Sequence, residues 1–277
     1  MNNERKTGMI AITEMRLPAA FVAMRGKPSK SNQMIRNLVR FAQARSCPIL
    51  FLLFLSCTHM FAQGPGGRGG PPLTAKQAAP VDLTGYWVAV IVEDWKYRMI
   101  PANKGDYSGL PLNTVARKTA DSWDPGKDPP PAADCRNYGA ANLMRQPGRL
   151  HVTWQDDQTL KLESDAGTQT RLLSFAPSQS QGGDWQGVSL AAWDKAGSLQ
   201  VVTTRLKPGF LRSNGVPYSA RTTLAEYFDR VEFPDGNLYL VISTTVEDPA
   251  NLTAPSLTSV HFKKQSDGAG WNPTVCR

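Results

Sequence analysis

From Val81 onward the chain is interrupted, roughly every 8 to 12 residues, by turn-forming Gly, Pro, Asn and Asp, and most of the intervening segments alternate apolar with polar side chains. Segments of that length and period bury one face as strands and cannot bury one as helices, so the pattern confines the chain to an all-β, mainly antiparallel fold. Strands are expected over 86–92, 150–154, 159–165, 169–175, 189–193, 199–206, 222–231, 238–246 and 257–264. The first is a continuous apolar run, which suits a strand buried on both faces. Pro234-Asp235-Gly236-Asn237 is the clearest hairpin turn. One short helix is expected over 112–123, where Asn113 can cap the start, Ala116, Thr119 or Ala120, and Trp123 recur at helical spacing, and Pro125 ends it. About nine strands and one helix describe a meander that closes into a barrel or folds into a β-sandwich.

The 277-residue chain carries a formal net charge of +8, but the excess is not spread evenly. Residues 1–63 hold nine Lys or Arg against two acids, which leaves 22 against 21 in the remainder. A nearly neutral main domain argues against a nucleic-acid surface. The basic leader runs from Met34 into the apolar residues 48–55 and then to Ala62, the three parts of a secretory signal, and the apolar run is too short to span a bilayer. Residues 1–62 therefore read as an extension plus signal peptide, with Met34 a plausible true start and cleavage after Ala62 releasing a periplasmic or extracellular protein. Phe54-Leu55-Ser56-Cys57 loosely resembles a lipobox, so anchoring through Cys57 is the minor alternative. Residues 63–80 form a Gly/Pro-rich spacer expected to be disordered, and 81–277 a single domain with no transmembrane span. Outside the leader only Cys135 and Cys276 remain, and in an oxidising compartment a disulfide between them is the economical reading. A metal pair would lack nearby His or Cys ligands.

Two resemblances follow from the residues. Gly85-Tyr-Trp87 opens the first strand as the Gly-x-Trp of lipocalin-like and calycin barrels does, which implies a barrel with Trp87 plugging one end. Over about two hundred residues the segments Cys135 to Gly139, Pro147-Gly-Arg-Leu-His-Val-Thr-Trp154, Gly167-Thr-Gln-Thr-Arg171, Trp185-Gln-Gly-Val-Ser189, Leu199-Gln-Val-Val-Thr-Thr204, Asn214-Gly-Val-Pro-Tyr-Ser219, Glu226-Tyr-Phe-Asp-Arg230 and Val246-Glu-Asp-Pro249 resemble, in that order, a family of secreted bacterial proteins. That resemblance implies export, a single β domain and the cysteine pair, and supplies no mechanism.

Candidate chemistry is sparse. There is no P-loop, dinucleotide fingerprint, HExxH, CxxC or Gly-x-Ser-x-Gly, so neither a cofactor nor a metal is expected. Glu226 and Arg230 share strand parity with Leu224 and Phe228; an inward Glu226 needs a partner such as Arg171 or Arg230, whereas the alternative inward face of Ala225, Tyr227 and Val231 leaves it exposed. His151 and His261 fall on the polar parity of their strands. Trp185, between Gly183 and Gly187, is a candidate for stacking a ligand, and Tyr218 follows a barrel-mouth turn. The leading functional expectation is a barrel binding a small apolar ligand, with Trp87, Arg171, Trp185, Tyr218, Glu226 and Arg230 as candidate contacts. A cofactor-free isomerase, hydratase or lyase using Glu226 or His151 as base beside Arg171 is the second. An envelope interaction module with an exposed strand edge is the third. Nothing in the sequence sets an oligomeric state.

Overall fold

Each expected strand is present, within two residues at either end, in a closed nine-stranded barrel, and the sandwich is not formed. The computed structural model describes residues 72–100, 102–127, 135–177 and 182–276; the signal-peptide expectations at Met34, Cys57 and Ala62, and residues 63–71 of the spacer, lie outside them. In chain order the strands are β1 (Gly85–Val90), β2 (Arg149–Asp156), β3 (Thr159–Ser164), β4 (Gln169–Ser174), β5 (Val188–Trp193), β6 (Leu199–Thr204), β7 (Gly209–Arg212), β8 (Val216–Tyr218), β9 (Thr223–Glu232), β10 (Leu238–Glu247) and β11 (Ser256–Lys264). The barrel order is β1-β11-β10-β9-β6-β5-β4-β3-β2, with β2 pairing back onto β1, while β7 and β8 form a separate hairpin. A ring whose neighbours are all antiparallel needs an even number of strands, so nine strands require at least one parallel seam. That seam is β4–β5, where the ladder is only two residue pairs long.

The barrel interior is filled. Trp87, Leu150, Leu162, Leu199, Phe228, Ile242 and Phe262 project inward from seven strands, and each is at most 2% exposed. Trp87 lies at the β1 entrance, where its indole N–H donates to the Leu83 carbonyl at 3.0 Å and the Lys264 ammonium sits 4.6 Å above its ring. Because a barrel wall has one solvent face, β1 buries only Trp87 and is not the doubly buried strand that its apolar run suggests. At the opposite end a second apolar cluster, including Leu206, Tyr218, Leu224 and Val246, caps the barrel.

Three short helices replace the single one expected: α1 (Trp95–Met99), α2 (Thr114–Ser122) and α3 (Ala140–Leu143). The expected helix is α2. The Asn113 side chain accepts from the Ala116 N–H at 2.9 Å, and Ala116 and Ala120, one turn apart, are fully buried. Residues 72–80, the end of the expected spacer, take a hydrogen-bonded turn in which Lys76 N–H donates to the Asp157 carbonyl at 3.1 Å. The hairpin turn at Pro234 to Asn237 is as expected, with Gly236 supplying the positive φ of 77°. Cys135 and Cys276 are joined across a Cα–Cα distance of 5.2 Å, tying the chain end to the segment before α3. No helix among the described residues is long and apolar enough to cross a membrane.

Candidate functional site

The inward parity of β9 is the Leu224, Glu226, Phe228 face, which puts Glu226 inside the barrel with Val201 and Thr244 as its cross-strand neighbours. Across the interior Arg171, on β4, meets it in a two-pronged ion pair, Nη1 to Oε1 at 3.1 Å and Nη2 to Oε2 at 2.6 Å, with both side chains wholly buried. Arg171 Nη2 also donates to Thr203 Oγ1 at 3.1 Å, and that hydroxyl bonds Ser189 Oγ at 2.8 Å. Four strands, β4, β5, β6 and β9, thus converge on one polar cluster. Its charges are spent on each other, so it fixes which strands face one another and offers a ligand no free charge. Of the four residues, Ser189 alone reaches a cavity, a polar space of about 310 Å³ at the β4–β5 seam that Gln186 and Asp184 also line.

The remaining candidates do not join this cluster. Arg230 follows the same parity to the exposed rim, 3.9 Å from Glu232. His151 lies on the outer wall, stacked on Tyr86 at 4.1 Å and 3.3 Å from Glu163, so it and Glu226 are on opposite faces of the sheet and His151 is not placed beside Arg171 as a base. His261 is also outside, its Nδ1 3.2 Å from Glu93. Trp185 is half-buried with the Lys207 ammonium 4.2 Å above its ring, which occupies the face a ligand would stack on. Tyr218 is buried without a hydrogen-bond partner, and burial pushes its phenol well above the ordinary range. Its neighbour Ser219 donates through N–H and Oγ to Asp248 at 2.8 and 2.7 Å, so the turn before β9 is pinned to the turn after β10. Among the described residues no three His, Cys, Asp or Glu side chains are placed to hold a metal.

A cavity of about 310 Å³ opens instead at the capped end of the barrel. Its floor is the end of β10 and the start of β11 at Val246, Ser256 and Thr258; α1 contributes Tyr97, its cap residue Asp94, and the 108–110 loop Leu110; the turn after α3 brings Arg145, and β7 Leu211 and Arg212. The wall is therefore more apolar than polar, and its polar part combines two arginines, several hydroxyls and the Asp94 carboxylate. Arg212 is 6% exposed and lies 4.0 Å from the Tyr97 ring centre, with its guanidinium donating to the Asp106 and Ser108 carbonyls at 3.3 and 3.0 Å. Burial, and then the charge of Arg145, lower its pKa from the ordinary arginine value. Arg98, on α1 and with its side chain fully buried, donates to the Arg145 carbonyl at 3.1 Å and pairs with Glu93 at 2.7 Å.

None of Tyr97, Arg145 and Arg212 stands out in the sequence. Arg212 does carry a local signal, an arginine directly after the apolar pair Phe210-Leu211 and just before the Asn214-Gly215 turn. Comparison with protein-family models, with curated proteins and with solved structures finds no match.

Proposed function

We propose that the protein is an exported small-ligand-binding barrel whose ligand sits at the capped end rather than in the middle. The observation that carries this reading is the mouth cavity, where rigid strand ends meet a short helix and a loop around a mixed apolar and polar wall, the usual composition of a small-molecule site. The filled interior leaves the central lumen no comparable seat. Export is supported by the basic and apolar leader and by the Cys135–Cys276 bond, which needs an oxidising compartment to persist. The lipocalin-like opening is supported by Trp87 lying at the barrel end.

A fragment screen read by thermal shift, with binders located by amide chemical shifts, tests the reading. Leu257 lines the cavity but is 72% exposed, so Leu257→Trp blocks the mouth at little cost to folding. Binders should shift residues 94–97, 108–110 and 256–258 and lose affinity in Leu257→Trp. Binders that map to the β4–β5 seam, unaffected by the substitution, would sink it.

A further inference from the structure

The charges around the mouth cavity pair off with one left over. Arg98 is matched by Glu93 at 2.7 Å, Arg145 by Asp94 at 3.0 Å and Lys96 by Asp106 at 3.1 Å. Among the described residues no carboxylate lies within ion-pair distance of Arg212; two carbonyls and an aromatic ring touch it, and Asp106 and Asp94 act on it only at longer range, although it is buried. A buried cation in direct contact with neutral groups alone is costly, and a carboxylate placed against it gains a charge-assisted hydrogen bond. Arg145 stands on the same cavity wall, and its partner Asp94 is half exposed, so that ion pair can open to a competing anion while Arg212 stays fixed. Leu110, Leu211, Val246 and Leu257 line the same cavity and give it an apolar surface beside the cationic groups. The volume of about 310 Å³ lies at the lower end of the range of small-molecule sites.

We infer that the mouth cavity selects small amphipathic carboxylates, with the anionic head at Arg212 and Arg145 and the apolar body on the leucines and Val246. This rests on the proposed seat of ligand binding and adds the chemical class of the ligand.

Octanoate, octanol and octylammonium share a chain and differ in head charge, so titrating each into the full mature protein by calorimetry separates the two levels. Octanoate should bind roughly tenfold or more tighter than octanol, the gain of a hydrogen bond to a charged group, and octylammonium more weakly than either. Arg212→Met should remove the advantage of octanoate over octanol. Because Arg212 also holds two loop carbonyls, two further variants guard against misfolding of that one. Arg145→Gln should weaken octanoate several-fold, and Asp94→Asn, which suits the left-handed backbone at φ 51°, should strengthen it several-fold by freeing Arg145. Equal binding of octanoate and octanol at the mouth would overturn the carboxylate preference and leave the seat standing. Tighter octylammonium would overturn the preference too. No binding by any of the three at the mouth of folded protein would remove both.

Discussion

Glu226→Gln is the substitution that most directly tests the logic of the barrel interior. It preserves the shape of the side chain and removes its charge, leaving the Arg171 guanidinium, whose side chain has no solvent exposure, facing a neutral amide. Breaking a buried ion pair from one side costs about 3 to 5 kcal/mol, because the remaining charge stays desolvated. For a domain of this size each kcal/mol moves the melting temperature by about 2 to 4 °C, so the expected drop is roughly 6 to 20 °C. Arg171→Met should cost a similar amount by stranding the carboxylate. The double variant Arg171→Met, Glu226→Leu removes both charges, and Thr203 keeps its 2.8 Å bond to Ser189, so it should be more stable than either single variant and close to the parent. Urea and thermal unfolding followed by circular dichroism on oxidised protein would measure all three. A loss under about 1 kcal/mol for Glu226→Gln, or a double variant no more stable than the single ones, would refute the claim that the pair is a mutually dependent, sealed unit.

Three other outcomes are expected. Reduction, or replacement of Cys135 and Cys276 by Ser, opens a loop spanning 141 residues, which chain entropy values at about 5 kcal/mol; equal unfolding midpoints with and without a thiol reductant would show that the tether contributes nothing. A Cβ on Gly139 would overlap the Tyr218 hydroxyl, so Gly139→Ala should destabilise by about 1 to 3 kcal/mol, whereas Tyr218→Phe, which deletes an unpartnered hydroxyl, should be near neutral and should rescue Gly139→Ala in thermal melts. Asp248 would be raised by burial, but hydrogen bonds from Ser219, Asn251 and Ala250 outweigh that and hold it below the ordinary value of 3.8. Its contribution is therefore complete above pH of about 4 and is lost as pH falls through the lower folded value, so Asp248→Asn should flatten the acid limb of a stability–pH curve; an unchanged limb would contradict this.

How far the molecule can be read from its sequence depends on the range of the interactions involved. The barrel strands were legible because parity is local: Leu150, Val152 and Leu160, Leu162 alternate with polar residues, and a single inward face per strand is enough to place them. The cap of α2 was legible for the same reason, since Asn113 and Ala116 are three residues apart. On β9 two apolar faces competed, and the choice between them was made by Val201 and Thr244, neighbours supplied by other strands once the ring closes. The hairpin β7–β8 and helices α1 and α3 are three to five residues long, below the length at which either period can be recognised. The mouth cavity takes Tyr97, Ala141, Leu211 and Arg212 from those elements. Arg212 finds the carbonyls of Asp106 and Ser108 more than a hundred residues earlier in the chain, and its burial follows from that long-range packing rather than from any residue beside it. An arginine buried in a four-residue strand contradicts its local pattern, and such contradictions between local preference and final position concentrate at functional sites. By that criterion Arg212 and Arg171 are both anomalies, but only Arg171 is answered by a carboxylate of the chain itself. The unanswered one faces a cavity, and that difference, rather than burial alone, is the reason to look for the ligand at the mouth.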